Sequence, residues 1–300
     1  MELRHLRYFI AVAEELHFGH AAARLHLAQP ALSQQIRRLE EEIHVQLLHR
    51  TKRRVSLTES GAIFLEKARL TVSHAEEAVV SAQKANRGEV GELSVGFVGS
   101  AAFEFLPEVL KGFRRTFREV RLVLQELTTT QQLAALRTGQ IRVGLLRPPI
   151  SDGNIETEIV AREPWVMALP TSHPLHGRSR VTLRQFAADP FIGTPRALGP
   201  GLHDQALSLC LQSGFSPRVV QEAIQMATIV SLVAAGVGVA LVPSSVQRLG
   251  RKDVLYKRLE GSPKVDLALA WRREDGDSVL SNFRSIVKET RNIRRWARQG

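Results

Sequence analysis

Two groups of side chains in this sequence have the types and spacing to recognise a partner. The first lies within Gln29-Pro30-Ala31-Leu32-Ser33-Gln34-Gln35-Ile36-Arg37. Gln29-Pro30 opens a helix, with Pro30 in a first-turn position where its missing N–H costs nothing. Leu32, Ile36 and Leu39 stripe one side of that helix, and Ser33, Gln34 and Arg37 occupy the other. Gln and Arg can each pair bidentately with base edges in a major groove, and a Ser hydroxyl can reach a base or a phosphate. The basic run His49-Arg50-Thr51-Lys52-Arg53-Arg54 comes next. Its cations suit phosphates or a narrow minor groove; a charge run is usually only a solvated face, but the position of this one beside the helix favours contact with DNA. The second group is Ser100, Thr128-Thr129-Thr130 and Arg147. Hydroxyls beside a helix N-terminus, with a guanidinium near them, can hold an anion.

Enzyme chemistry is not written in the chain. Gly236-Val237-Gly238-Val239-Ala240-Leu241 fails G-x-G-x-x-G at its last position, so no dinucleotide site follows. Walker A, G-x-S-x-G and H-E-x-x-H sequences are all missing. His17/His20 and His173/His176 are spaced i, i+3 without an acidic or Cys neighbour, so neither a metal nor a cofactor is expected. The one cysteine, Cys210, allows no internal disulfide. No stretch approaches the roughly 18 apolar residues of a membrane span. Met1 to Ala13 carries Glu2, Arg4 and Arg7 and lacks a signal core, so a cytoplasmic protein without membrane contact is expected.

These groups need a scaffold, and 300 residues, 44% apolar and 24% charged, suffice for two globular domains. The formal charge of +11 leans toward an anionic partner. That charge is uneven: residues 1–90 hold 13 basic against 11 acidic residues, and residues 91–300 hold 28 against 19. DNA binding by the first part would therefore use local patches.

The first 58 residues read as short helices ending in a winged hairpin. Leu6, Phe9, Ile10 and Ala13 give one helical face, and His20 to Leu25 a second, short helix. The helix from Gln29 completes a helix-turn-helix layout, which could also be an ordinary helical hairpin. Val55 to Thr58 is a short strand, and Thr58 is placed to cap the long helix that follows. Leu65, Ala68, Val72, Ala75, Val79 and Ala82 recur at spacings of 3, 4, 3, 4 and 3, a heptad seam. The seam either pairs with a second copy of the chain or packs on its own domain.

After Gly88 and Gly91 the pattern becomes strands alternating with helices. Strands at 93–98, 121–127 and 142–146, with helices between them, predict an open parallel α/β sheet. Further strands are expected at 159–169, 190–193, 218–222, 237–242, 254–259 and 265–271, and a last helix at 278–297. Open sheets of this kind bind ligands at the carboxyl ends of their strands, where Ser100, Thr129 and Arg147 fall. Thr130 is expected to cap its helix. Arg147 is expected to pair a ligand carboxylate, to rim the pocket, or to lie on the surface.

The order of these blocks resembles the LysR-type transcriptional regulators over essentially the full length. The residues that carry the resemblance are Leu3 to Phe9, Ala21 to Leu25, Gln29 to Glu40 and Leu57 to Gly61, then Gly96 to Ala101, Phe105 to Pro107, Leu232 to Gly238 and Val242-Pro243. Within that family it is most similar to regulators of aromatic-acid catabolism, responsive to muconate or benzoate, and of acetoin synthesis. The resemblance implies a winged helix-turn-helix over residues 1–58, a dimerising linker helix over 59–90, and an effector-binding domain over 91–300. That domain is two-lobed and similar to periplasmic binding proteins, with lobe I at about 91–162 and 267–300 and lobe II at about 163–266. The implied partners are double-stranded DNA, a small carboxylate effector, further copies of the chain in a tetramer, and RNA polymerase. Carried over by position, Gln29, Pro30, Ser33 and Gln34 would meet bases, and Arg53 would be the wing contact. Ser100, Thr129 and Arg147 would hold the effector from one lobe, and Pro200 and Leu202 would line the other. Four positions depart from the family pattern: Ala28 for Ser or Thr, His44 for Gly, Leu48 for Phe, and Arg142 for Asp, the last expected near the pocket. A second reading keeps the chain as a small-molecule-binding or enzymatic α/β protein whose N-terminal helices only mediate oligomerisation.

Overall fold

Leu6, Phe9, Val12 and Ala13 are the buried face of α1 (Leu3–Glu15), which turns sharply at Leu16. The helix α2 (Phe18–Arg24) starts two residues earlier than its apolar pattern predicts, because His17 caps it: His17 Nδ1 accepts from the Gly19 and His20 amides at 3.1 and 3.2 Å. In α3 (Gln29–Ile43), Leu32, Ile36 and Leu39 are fully buried. Removing such a side chain to Ala costs about 2–5 kcal/mol. Ala28 gives α3 no side-chain cap, and His44 ends it in the left-handed conformation, φ 54°. The computed structural model describes residues 1–51 and 54–297, with side chains as far as Ile293. It divides into two units, Met1–Lys84 and Ala85–Gly300.

The wing is the antiparallel pair β1 (Leu48–Arg50) and β2 (Val55–Leu57). Thr58 Oγ1 then accepts from the Gly61 amide at 2.9 Å and starts α4 (Glu59–Asn86). The heptad seam of α4 is divided. Ala68 is buried in the core of the first unit, with Leu65 and Val72 packed beside it and the Phe64 ring 5.3 Å from Phe9, edge to face. Further along, Val79 is 57% exposed. Packing within the unit accounts for the first half of the seam and leaves the second half uncovered.

In the second unit, β3 (Val90–Phe97), α5 (Phe105–Thr116), β4 (Glu119–Glu126), α6 (Thr129–Thr138) and β5 (Val143–Leu146) form a parallel βαβαβ group in the order β4-β3-β5. The chain continues through β6 (Ile155–Pro170), β7 (Arg180–Val181), β8 (Pro190–Gly193), α7 (Pro200–Gln212), β9 (Arg218–Glu222), α8 (Met226–Ala234), β10 (Ala240–Pro243), β11 (Val254–Leu259), β12 (Lys264–Arg272) and α9 (Ser278–Ala297). The long strand β6 serves two lobes. Its first part, to Pro164, pairs with β12, which also pairs with β5. From Trp165 onward it pairs with β10 and β11.

Each lobe has its own core. Leu93, Val109, Phe113, Leu145 and Phe283 lie in that of lobe I, and Met167, Phe186, Val230 and Val246 in that of lobe II. The chain is helical from Pro200, whose ring suits the first turn of α7. Gly201 allows a close approach there: a Cβ would sit 2.5 Å from the Pro148 carbonyl oxygen.

Candidate nucleic-acid interface and effector cleft

Along α3, Gln29, Pro30, Gln34 and Arg37 are exposed and Ser33 is half-buried, while Leu32, Ile36 and Leu39 are buried. The wing is tied to this helix by Glu40. Its Oε1 accepts from the Leu47 and Leu48 amides at 2.9 and 3.0 Å, and its Oε2 from Arg50 at 2.5 Å. The Arg50 guanidinium also lies 5.2 Å from the Phe18 ring centre. Arg50, part of the basic run, therefore spends its charge inside the fold. Arg53 lies outside the described residues. The paired histidines are structural: His17 caps α2, and His173 Nδ1 accepts from the Leu175 amide at 3.1 Å. Among the described residues no group of three His, Cys, Asp or Glu could hold a metal ion. Nor is any described helix long and apolar enough to cross a membrane.

The second unit has a cleft at the carboxyl ends of β3, β4 and β5. Ser100 follows β3, Thr129 follows β4 and Arg147 follows β5, and all three line it. Leu202, Leu198 and Met226 face them from lobe II. Pro200 is not among the residues that line the cleft, since it is taken up in the first turn of α7. Thr128 rather than Thr130 caps α6, its Oγ1 accepting from the Gln131 amide at 3.3 Å. Thr130 instead joins the lobes: its hydroxyl donates to the Ala197 carbonyl at 2.9 Å, and its amide to that of Leu198 at 3.3 Å.

Arg147 is not a surface residue, and both ends of its fork are already engaged by the protein, while its Nε has no partner among the described residues. It is 2% exposed, and its Nη2 donates to Glu163 Oε1 and to Ser100 Oγ, both at 2.8 Å. Its Nη1 donates to the Asp266 carbonyl at 3.1 Å. Glu163 is held in turn by the Ser245 amide, 2.6 Å from its Oε2. Glu163 is absent from the sequence-level expectations, and no local pattern marks it. It lies on β6 one residue before Pro164, where the strand is about to change partners.

Besides the unpartnered Arg147 Nε, two hydroxyls are left able to donate. Ser100 Oγ accepts from Arg147 Nη2, and Thr129 Oγ1 accepts from the Arg147 amide at 3.3 Å. A hydroxyl that accepts still carries its own proton for a further acceptor. Arg142, expected near the pocket, is at the other end of β5. There it pairs with Asp275 at 2.5 Å and Asp277 at 2.9 Å.

Comparison with known proteins decides between the two readings of the sequence. Residues 3–62 match the family model for bacterial regulatory helix-turn-helix proteins of the lysR family, and residues 86–292 the LysR substrate binding domain. The chain is 41% identical to the transcriptional regulator AlsR of Bacillus subtilis, over 94% of each chain. It is 37% identical to the Hca operon transcriptional activator HcaR of Escherichia coli, over 96% of this chain and 98% of that one. It superposes on full-length CbnR in complex with its target DNA with a TM-score of 0.86 and 30% identity, covering 97% of this chain and all of that one. With both of its parts matched in order, the chain belongs to the LysR family of transcriptional regulators, a DNA-binding head joined to a two-lobed effector-binding domain.

Proposed function

We propose that this regulator reads its operator through Gln29, Pro30, Ser33, Gln34 and Arg37, with Arg53 on the wing, and answers to a small carboxylate held between the lobes. The observation that carries the effector class is the pair of hydroxyls at Ser100 and Thr129, each accepting from Arg147 and so left with a proton to donate. A carboxylate presents acceptors to both. Because Glu163 neutralises Arg147, the carboxylate is recognised by hydroxyl donors on a charge-balanced floor, with Leu202 opposite and Pro200 fixing the start of α7. The exposed second half of the α4 seam supports a dimer through that helix, and a tetramer is the assembly inferred from the family. The same reading places the protein in the cytoplasm, with RNA polymerase as a further partner. Effector binding shifts the lobes toward closure and so changes the placement of the paired reading heads.

A thermal-shift screen tests the effector class. Wild type, Ser100→Ala and Thr129→Ala are each melted with muconate, benzoate, acetate and neutral analogues. A ligand present at about 100 times its dissociation constant stabilises the protein by roughly 2.7 kcal/mol. A carboxylate that raises the melting temperature of wild type and of neither variant supports the reading. A neutral analogue that does as well, or no shift with any acid, refutes it.

A further inference from the structure

Lobe II contains a chamber of about 120 Å³ that is distinct from the inter-lobe cleft. Ala206 and Cys210 of α7, Phe191 and Ile192 of β8 and Trp165 of β6 wall it, and the exposed Val219 of β9 stands at its open side. Chamber and cleft share only Thr194 and Leu202, which separate them. An occupant of the chamber is therefore a molecule of its own and not part of one held between the lobes.

No Asp, Glu, Lys or Arg is among the described residues that line the chamber, so an ion would be buried there without a partner. An apolar cavity of about 150 Å³ stays dry and accepts benzene, and a chamber of this size suits a single aromatic ring. Trp165 is 1% exposed, and its indole N–H has no acceptor among the described residues. A buried indole N–H ordinarily has one. Two other polar groups of the wall are engaged or neutral. His203 Nδ1 lies 2.8 Å from the Thr194 carbonyl oxygen. Burial pushes the Cys210 thiol up to about 11, which leaves it protonated near pH 7.

We propose that this chamber is a second ligand site, for a neutral molecule with one aromatic ring and one hydrogen-bond acceptor. The ring packs against Phe191 and Ile192, and the acceptor takes the Trp165 indole N–H. The site is separate from the cleft, and its occupant is not the carboxylate.

Isothermal titration of the full-length protein with acetophenone, ethylbenzene and 1-acetylnaphthalene reads acceptor and size separately. Acetophenone binds about fivefold tighter than ethylbenzene, which has its shape without the acceptor; that is the worth of one ordinary hydrogen bond. A second ring overfills the chamber, so 1-acetylnaphthalene binds about tenfold more weakly than acetophenone. Trp165→Phe brings acetophenone and ethylbenzene to equal affinity. Ala206→Phe, which fills the chamber, abolishes the binding of both. Ala206→Leu, a smaller intrusion, weakens both and keeps the test valid if the larger variant does not fold, as checked by melting. Ser100→Ala binds both as wild type does, because the cleft is not their site. No binding of acetophenone to wild type overturns the site. Equal affinity for acetophenone and ethylbenzene in wild type, or for acetophenone and 1-acetylnaphthalene, overturns the ligand class. Affinity unchanged in Ala206→Leu, or lost in Ser100→Ala, puts the probes elsewhere and overturns the chamber, while the carboxylate reading of the cleft is untouched by any of these results.

Discussion

The reading face of α3 and the floor of the cleft are both built from polar side chains, under opposite constraints. Gln29, Gln34 and Arg37 stand in solvent, so their hydrogen-bonding groups meet water until a partner replaces it. Ser100, Thr129 and Arg147 are each less than 5% exposed, and every one is bonded to another part of the protein. Buried polar groups must be satisfied, and a buried charge must be paired. The difference teaches where each site keeps its information. On α3 it lies in which side chains project. In the cleft it lies in which donors remain after the protein has bonded its own groups.

The comparison is broken most forcefully at Glu163. Its replacement by Ala leaves the Arg147 guanidinium buried without its carboxylate, a kind of loss that costs about 3–5 kcal/mol. Chemical denaturation followed by circular dichroism should show that loss. Replacing both Arg147 and Glu163 by Met should recover most of it, because the penalty belongs to the unpaired charge and not to the pair. If the double variant is as unstable as Glu163→Ala, the network is stabilised by its geometry as a whole and the contrast with α3 fails.

On the reading face the corresponding change should leave stability almost untouched. Ser33→Ala with Gln34→Ala removes exposed and half-buried polar groups, and each lost base contact weakens discrimination by about 1–3 kcal/mol. Anisotropy titrations against operator and random duplexes should show the loss on the operator alone, since phosphate contacts carry no sequence information. Equal weakening on both duplexes would remove these residues from base reading.

The same contrast explains what was legible in the sequence. The spacing of Leu32, Ile36 and Leu39 is local, so the buried side of α3 and the polar side opposite it follow from a few consecutive residues. Ser100, Thr129 and Arg147 could be picked out because each follows a strand of a recognisable βαβαβ run. Their partner could not. Glu163 reaches Arg147 only through the long crossover strand, and neither alternation nor spacing distinguishes it from Glu156 or Glu158 on the same strand. Glu40 is hidden for the same reason: a helix residue that binds Arg50 and two amides of the wing looks like any surface Glu. Thr128, Thr129 and Thr130 are adjacent and alike, and only the three-dimensional path of the chain assigns one to a cap, one to the cleft and one to the link between lobes. The α4 seam is regular throughout, yet its first half is covered by the first unit because that is how far the core around Phe9 extends.

A smaller effect is expected on the wing. Arg53→Ala should reduce the slope of log binding constant against log salt by about one, the signature of one lost phosphate contact. Arg50→Ala is the sharper control, because its guanidinium is engaged by Glu40 and Phe18. It should lower the stability of the first unit and leave the slope nearly unchanged. An unchanged slope in Arg53→Ala, or a reduced one in Arg50→Ala, would reverse the assignment of the two arginines.

The smallest effect concerns pH and the first unit alone. Glu14 of α1 bonds to Arg69 of α4 at 2.7 Å and to Arg24 of α2 at 2.8 Å. The bonds from Arg69 and then Arg24 hold its carboxyl below the ordinary 4.5, against the opposing effect of burial. A carboxyl whose folded value is depressed contributes stability above its unfolded value and loses it as the pH falls through the folded one. Glu14 should therefore support the unit from neutral pH down to about 4.5, and that support should fade below. Glu14→Gln should be slightly less stable than wild type at pH 7, and the gap should close in acid, since protonation then leaves both side chains neutral. The size is limited because both arginines are about half exposed and solvent screens the pairs. Melting curves at pH 7 and in a series of acid buffers would measure the gap. A gap that stays constant into acid would mean that Glu14 acts by packing alone, and α1, α2 and α4 would then be held together without help from this ion cluster.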